Sequence, residues 1–329
     1  MGARGCGAGH GNFRHSLRLI TLAVTFLALV AALLIEQMRT RTGSNPVYGI
    51  FRRYSGLLER SLDGGRYEQG AIAWFAALAP AIIVVAGVSI YLSRVAPPLA
   101  LAWNIGVLYL TMGFRQFSDE FSATLEALRA GEIPVARAQI ERWRGRASEE
   151  LSLQEIARLA IERGLVGAHR HLFGVIAWFA VFGAAGAVFY RLSAMLCDSW
   201  GARSSSVEAA FGVFSRTAFK WIDWIPARLT AVSFAIVGDF EHAVDCWRTQ
   251  AHTWHDANDG LVLAAGAGAV GVRLGSVVGV ADSAEMRPEL GTGDEADVAL
   301  MIGTVGLIWR ALVPWLVLIL LLTVANWLG

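Results

Sequence analysis

The sequence predicts an all-α, polytopic integral membrane protein with a helical cytoplasmic insertion. The chain of 329 residues is 55% hydrophobic and only 17% charged, whereas soluble domains carry about 25% charged residues. It contains apolar runs that approach the roughly 20 residues that a helix needs to cross the hydrocarbon core. The polar segment between the third and fourth runs repeats its apolar residues with a helical period.

Five apolar runs are the candidate spans: residues 19–35, 71–95, 99–114, 172–190 and 298–328. The first follows Arg14 and Arg18, as a signal peptide would, but charged residues rather than a small-residue cleavage site come after it, so we expect a retained anchor. The predicted divisions are a tail (1–18), a membrane region of three spans with a basic loop at 36–70 (19–114), the cytoplasmic insertion (115–171), a span with a partly buried polar region (172–298) and a last span (299–329).

The insertion is predicted to be helical from two local signals. Four apolar residues share one helical face: Phe117, Phe121, Leu125 and Leu128. Ser152 and Glu155 have the spacing of a capping box, which marks a helix start. Helices are therefore expected on both sides of Pro134, itself suited to the first turn of a helix.

Arginine distribution predicts the orientation in the membrane. The segments 36–70 and 115–171 are both rich in arginine, and such loops face the cytoplasm. The chain is therefore expected in a bacterial inner membrane as a multi-pass protein, with lipids as its partners and no nucleic acid. The acidic region 191–297 contains two semi-apolar stretches, 220–239 and 260–281, which leaves the number of crossings between four and six.

The stretch "KWIDWIPARLTAVSFAIVGD" carries Asp223, Pro226 and Arg228 in an otherwise apolar sequence. One interpretation is a buried ion pair or anion site between Asp223 and Arg228, because charged groups at membrane depth are usually functional. The other is a helix start at the interface, flanked by tryptophan, with Arg228 reaching towards the lipid headgroups. The sequence leaves both open.

Three further patterns favour structural over catalytic roles. His252, His255 and Asp256 have helical spacing, but no third strong metal ligand accompanies them, so no metal or cofactor is predicted. The glycines at 266, 268 and 271 spell GxGxxG, but they lie among alanines with no strand before them, which favours close helix packing over dinucleotide binding.

Two features of the basic residues could indicate ligand binding or catalysis: an arginine cluster and a single lysine. Arg142, Arg144 and Arg146 are interpreted as a solvated face near the cytoplasmic leaflet, although nucleotide, phosphate or anionic lipid would suit the same charges. Lys220 is the only lysine, and Schiff-base chemistry at that position would need a desolvated pocket.

The order of motifs resembles the CobD/CbiB family of membrane proteins, which includes adenosylcobinamide-phosphate synthase and the beta-lactamase-induction accessory protein AmpE. "NPVYGIFRRYSGLLERSL" resembles an N-terminal motif of that family, and "IDWIPARLTA" is similar to its Pro-Ala-Arg-Leu-Thr-Ala motif. "ANDGLVLAAGAGAVGVRLG" and "RPELG" occupy its C-terminal positions. The resemblance covers nearly the whole chain.

The resemblance implies an ATP-dependent ancestor that joins an amino-alcohol phosphate to a corrinoid carboxylate. Such a step needs acidic groups for metal and phosphate, and this chain departs from the family there: only Glu162 is retained from one acidic block, and Phe219 and Lys220 replace paired acids. These departures favour a non-catalytic sensory or accessory protein of an AmpE-like branch; the alternative is an adenosylcobinamide-phosphate synthase.

No catalytic residue is therefore assigned from the sequence. The candidates for a functional or structural polar site are Glu162, Asp198, Asp223 and Arg228. His255 joins the first three as a replacement ligand if the chain retains the synthase activity.

Overall fold

The computed structural model describes residues 26–36, 46–62, 66–144, 151–201, 210–276 and 287–328. These residues form an almost wholly helical structure, which confirms the predicted all-α class. The helices are α1 (Phe26–Glu36), α2 (Pro46–Leu62), α3 (Tyr67–Val95), α4 (Pro97–Met112), α5 (Phe114–Arg129), α6 (Ile133–Arg144), α7 (Leu153–Ala168), α8 (Gly174–Leu196), α9 (Ala210–Ile222), α10 (Trp224–Val237), α11 (Phe240–Gln250), α12 (Ala257–Val270) and α13 (Val298–Leu328).

Three described segments are long and apolar enough to cross a membrane by length and composition: Tyr67–Val95, Leu153–Gly201 and Val298–Ala325. The predicted runs 71–95 and 298–328 correspond to α3 and α13. The predicted run 99–114 corresponds to α4, which has the same length of 16 residues but begins and ends two residues earlier, because Gly113 follows it with a φ of 53°. At 1.5 Å per residue α4 is about 24 Å long, against a hydrocarbon core of about 30 Å.

The proline pair that follows α3 separates α3 from α4. Only Ala96 lies between the two helices, and Pro97 and Pro98 occupy the first turn of α4, where a missing N–H costs no hydrogen bond. The indole of Trp103 donates a hydrogen bond of 3.0 Å to the hydroxyl of Ser89 across this helix pair.

Helix α8 reverses direction at Gly183, so the predicted apolar run 172–190 does not form one straight helix. Gly183 has φ 61° and ψ −149°, a backbone conformation that is essentially restricted to glycine. The rings of Trp178 and Phe189 lie 5.1 Å apart, although a straight helix would separate these residues by about 16 Å along its axis. A Cβ on Gly186 would overlap the carbonyl oxygen of Trp178. The two arms, 174–182 and 184–196, form a helical hairpin.

A π-helical turn precedes the first arm of this hairpin, and another follows the second arm. The first π-turn is His169–Phe173, between α7 and α8, and the second π-turn is Cys197–Gly201, directly after α8. Each inserts an extra residue into the helical repeat and thereby redirects the side chains around it, a device that is frequent at functional sites. Because the hairpin reverses, both π-turns lie at the same end of it.

The predicted insertion is helical, in α5, α6 and α7. The hydroxyl of Ser152 accepts a hydrogen bond from the amide of Glu155, whose carboxylate accepts one from the amide of Ser152, which confirms the capping box. Phe121 and Leu128 are buried and Leu125 packs against the same core. The domain boundaries given above stay a prediction.

Helix α12 runs through the principal core, and its glycines permit close packing there. A Cβ at Gly266 would press on the side chain of Leu165, and one at Gly268 would overlap the carbonyl oxygen of His242 in α11. The GxGxxG pattern therefore lies in the second half of a buried helix, and not in a turn between a strand and a helix, as a dinucleotide site requires. The two short strands β1 (Val272–Arg273) and β2 (Asp294–Glu295) pair in parallel after α12.

Candidate functional site

A partly open cavity of about 1480 Å³ lies beside the two π-turns. Side chains from α2, α5, α6, α7, α8, α9 and the start of α12 line it together with both π-turns. The two segments that the sequence places in the cytoplasm, 36–70 and 115–171, both contribute to its walls, through Arg52 and Arg142 among others.

The cavity is polar and predominantly basic. Seven arginine and lysine residues line it: Arg52, Arg142, Arg163, Arg170, Arg191, Arg216 and Lys220. Four carboxylate residues accompany them: Glu120, Asp198, Asp256 and Asp259. A cavity with an excess of fixed cations attracts anions, and arginine suits phosphate and carboxylate because its planar fork donates two parallel hydrogen bonds.

Arg170 of the first π-turn connects three elements at the base of the cavity. Its guanidinium donates to Asp198 of the second π-turn at 3.0 Å and to Asp259 of α12 at 2.8 Å, and it lies over the ring of Phe219. Burial raises the pKa of the Asp259 carboxyl, and the positive charge of Arg170 opposes that rise. Asp256 fixes the position of Asp259, because its carboxylate accepts from the first amides of α12 and so caps that helix.

Directly behind Arg170, a buried polar network is centred on Asp223. Its Oδ1 atom lies 2.9 Å from Nε2 of His169 and accepts a hydrogen bond of 2.7 Å from the hydroxyl of Tyr190. The other ring nitrogen of His169 lies 3.0 Å from the hydroxyl of Thr230, which donates to the carbonyl of Pro226. All four side chains are at most 1% exposed. The network ties the start of α10 to the first π-turn, through His169, and to the second arm of the hairpin, through Tyr190.

Arg191 forms a second, less neutralised part of the wall. It is 9% exposed, it lies over the ring of Tyr48 at 5.2 Å, and its Nε atom has no hydrogen-bond partner among the described residues. Burial raises the pKa of the Tyr48 phenol, and the guanidinium of Arg191 acts in the opposite direction. Because Arg191 lines the cavity, its positive charge favours an anionic group of a ligand there.

The four residues singled out from the sequence lie in three different places. Asp198 is in the cavity and Asp223 lies in the network behind it. Glu162 is on another side of α7, where it accepts hydrogen bonds from Arg287 and from the amide of Gly275. Glu162 therefore fastens the segment around β1 and lines no part of the cavity.

Of the two interpretations that the sequence leaves open, the buried ion pair between Asp223 and Arg228 is not formed, and Arg228 is separate from all three. Its guanidinium lies 3.8 Å from the centre of the Trp224 ring and donates to the carbonyl oxygen of Trp224. The side chain is partly exposed, as are the large apolar neighbours Ile225 and Leu229. The reason is helical geometry: Arg228 lies on the outer face of α10, one turn from Trp224, whereas Asp223 precedes the helix and points inwards. This arrangement is compatible with the interfacial helix start that the sequence offers as the other interpretation, which stays a prediction.

Only some of the histidine and arginine residues that the sequence analysis considered line the cavity. His255 and Asp256 line the cavity, whereas His252 is exposed and lies in the 3-10 turn before them. Of the three arginines in 142–146, Arg142 lines the cavity; Arg146 and the side chain of Arg144 lie outside the described residues.

Sequence reasoning missed the most connected residue of the site. In the run "AHRHLFG", His169 and His171 precede an apolar run and look like residues at the membrane interface. His169 and Arg170 become central only because the hairpin at Gly183 returns the chain and a π-turn redirects them. A basic cluster inside an apolar run was the available signal, since such charges face protein or a cavity.

Comparison with known proteins places the chain in a family. The profile described as CobD/Cbib protein matches residues 25–308. The chain is 32% identical over 299 residues to a protein of Stutzerimonas stutzeri named Cobalamin biosynthesis protein CobD, covering 90% of this chain and 97% of that protein.

Proteins with the same printed name in two further bacteria are also similar. The one from Chromobacterium violaceum is 36% identical over 60% of this chain and 63% of its own length, and the one from Rhodobacter capsulatus is 26% identical over 74% and 83%. No solved structure matches the chain. The match of the family profile to most of the chain, and of one relative along nearly its full length, shows that the chain belongs to the CobD/CbiB family.

Proposed function

We propose that this chain acts in cobalamin biosynthesis at the membrane, where it joins an amino-alcohol phosphate to a corrinoid carboxylate in an ATP-dependent amide-forming step. The observation that carries the proposal is the basic cavity of about 1480 Å³. Pockets for small ligands usually enclose about 300–1,000 Å³, so this cavity has room for a substrate as large as a corrinoid together with a phosphate ester.

The residues that line the cavity support an acyl-transfer role more strongly than the comparison with the family motifs does. The departures at Phe219 and Lys220 remove acids from the positions where the family motifs place them. The cavity nevertheless contains carboxylates from other elements, among them Asp198 and Asp259 on either side of Arg170. Arg191 adds a positive charge to the cavity wall, which favours a phosphate or carboxylate substrate.

The names of the relatives support the pathway. Three similar proteins are named Cobalamin biosynthesis protein CobD, and the match to the Stutzerimonas protein extends over nearly all of its length. The second candidate function is the non-catalytic sensory or accessory role, which the replaced acids in the sequence favour. In that case the same cavity would bind a corrinoid or a phosphate without turnover.

We further propose a multi-pass topology in the bacterial inner membrane, with the cavity open to the cytoplasm. The arginine excess of 36–70 and 115–171 supports this orientation, because both segments line the cavity and cytoplasmic loops are enriched in arginine. Carbonate-resistant fractionation with inner-membrane markers is expected, and release into the soluble fraction would contradict it.

The test of function uses the full chain in nanodiscs with a corrinoid acid, aminopropanol phosphate, ATP and magnesium. We expect formation of the amide, detected by mass spectrometry, and restored corrinoid synthesis in a strain that lacks its synthase. Arg191→Ala should lower product formation at least tenfold, whereas Arg129→Ala, at an exposed position of α5 outside the cavity, should not. Corrinoid binding without product would instead favour the accessory role, and absence of both binding and product would contradict the proposal.

A further inference from the structure

The apolar hairpin of α8 has a tip that no described part of the protein covers. Val181 and Phe182, directly before the reversal at Gly183, are 69% and 61% exposed. Both arms behind the tip are apolar, with no charged residue between Gly174 and Tyr190. An apolar projection of this kind needs an apolar partner, because two large exposed side chains at one tip are costly in water.

Helix α3 provides a scale for how far the hairpin reaches. The helix has 29 residues and is about 43 Å long, enough to cross a bilayer. Near its start, Gly70 touches the backbone of Phe211, whose ring contacts Trp200 at the base of the hairpin. Phe189 of the returning arm meets Trp74, one turn further along α3.

These contacts place the tip level with the middle of α3. From Phe189 to Gly183 the returning arm continues for six residues, or about 9 Å. That distance corresponds to six residues of α3 beyond Trp74, close to Pro80, and the middle of α3 lies at residue 81. The second half of α3 continues beyond the tip and exposes Ile83 and Ile90.

The base of the hairpin, in contrast, is polar and closed. Arg170 and Asp198, one from each π-turn, form an ion pair there, and both line the basic cavity. Had 169–201 been a straight span, about 42 Å would separate these two residues. Their contact shows that the chain returns to the level at which it started.

We infer that residues 169–201 form a re-entrant hairpin, which inserts its apolar tip among lipid acyl chains to about the middle of the bilayer and returns to the side of the cavity without crossing. The partner of the tip is the hydrocarbon of the membrane. Within α8 only Gly183 leaves helical geometry, so the N–H and C=O groups of both arms away from the reversal are bonded within the helices, as a lipid environment requires. The inference does not depend on the proposed enzymatic function.

Cysteine labelling separates re-entry from crossing. In a background with Cys6, Cys197 and Cys246 replaced by serine, single cysteines are placed at Gln154, before the hairpin, and at Thr217, after it; both positions are exposed. A membrane-impermeant maleimide should modify both from the same face of oriented vesicles. Modification from opposite faces would overturn the inference, because it would require a crossing between the two positions.

The depth of the tip is measured with a second pair of variants. A nitrobenzoxadiazole probe on Phe182→Cys should be quenched most strongly by lipids that carry a nitroxide deep in the acyl chain. The same probe on Ile83→Cys, at mid-height of α3, is the matched control and should give the same depth profile. Free access of the impermeant maleimide to Phe182→Cys would show that the tip lies in water and would overturn the inference. A probe at Phe182 that is quenched mainly by headgroup-level nitroxides would also overturn the assigned depth.

Discussion

The guanidinium of Arg170 donates to the carboxylate of Asp198 across 3.0 Å, although 28 residues separate them in the sequence. This contact requires the reversal at Gly183 and the two π-turns that end the hairpin. The same guanidinium binds Asp259, so it joins the hairpin to the start of α12. The polar part of the cavity is therefore assembled by the closure of the apolar hairpin.

Replacement of Arg170 should impair both stability and the proposed activity. Arg170→Ala leaves the mostly buried carboxyl of Asp259, 17% exposed, without its cation. Removal of one partner costs about 3–5 kcal/mol in a fully buried pair, so we expect a smaller loss than that here. Arg170→Lys should recover part of the stability but little activity, because an ammonium cannot bridge two carboxylates as a planar guanidinium does.

Thermal unfolding in nanodiscs and corrinoid production in the synthase-deficient strain are the two measurements for Arg170. Arg129→Ala is the control, since it removes an exposed arginine of α5. Wild-type stability and wild-type corrinoid production in Arg170→Ala would contradict the central role of this residue.

Truncation of Asp223 should lower the stability of the protein far more than truncation of Arg228, although the two residues are close in sequence. Asp223→Ala removes the acceptor of both His169 and Tyr190 at fully buried positions, and each unsatisfied group costs about 1–3 kcal/mol. Arg228→Ala removes an exposed contact with Trp224, which is worth about 0.5–1 kcal/mol. We expect a large fall in the apparent Tm for Asp223→Ala and a shift near the measurement error for Arg228→Ala. Equal shifts in the two variants would contradict the assignment.

Much of the fold was predictable from local patterns. Hydropathy indicates α3 and α13, the two prolines predict the break at Ala96, and the Ser152–Glu155 spacing predicts the start of α7. These features depend on residues that are near each other in sequence, so composition and periodicity suffice to find them.

The site depended on information that local patterns do not contain. A reversal inside an apolar helix hinges on the φ of one glycine, and Gly183 looks no different in sequence from Gly186, three residues later. Without that reversal, Asp198 and Arg170 are distant, and the Asp223–Arg228 spacing suggests a pair. The partner of Asp223 is instead His169, which lies 54 residues earlier in the sequence.

Glu162 should act as a structural fastener and not as a catalytic group. Its carboxylate accepts from Arg287 and from the amide of Gly275, both of which lie between β1 and β2 in the sequence. Glu162→Ala should therefore raise the hydrogen-exchange rate at Gly275 and lower the apparent Tm. Removal of one partner from a fully buried ion pair lowers the free energy of unfolding by about 3–5 kcal/mol. Glu162→Gln should be milder, since its amide oxygen still accepts one hydrogen bond. Loss of corrinoid production in Glu162→Gln at unchanged stability and exchange would contradict this assignment and indicate a direct role.

Gly183 provides the sharpest test of the hairpin, because the same chain offers a control glycine in a regular helix, at which alanine should cause no strain. At φ 61° and ψ −149°, an alanine is strained by about 1–3 kcal/mol, although no neighbouring atom lies within 4 Å of its Cβ. Gly106 in α4 also has open space around it, but its backbone is helical.

Gly106→Ala should therefore be neutral or stabilising by up to about 1 kcal/mol, whereas Gly183→Ala should lower the apparent Tm in nanodiscs. Because Arg170 and Asp198 meet only when the hairpin closes, Gly183→Ala should also weaken corrinoid binding, measured by tryptophan fluorescence, even though no atom of Gly183 lines the cavity. Equal behaviour of the two alanine variants in both measurements would mean that the reversal at Gly183 does not support the site.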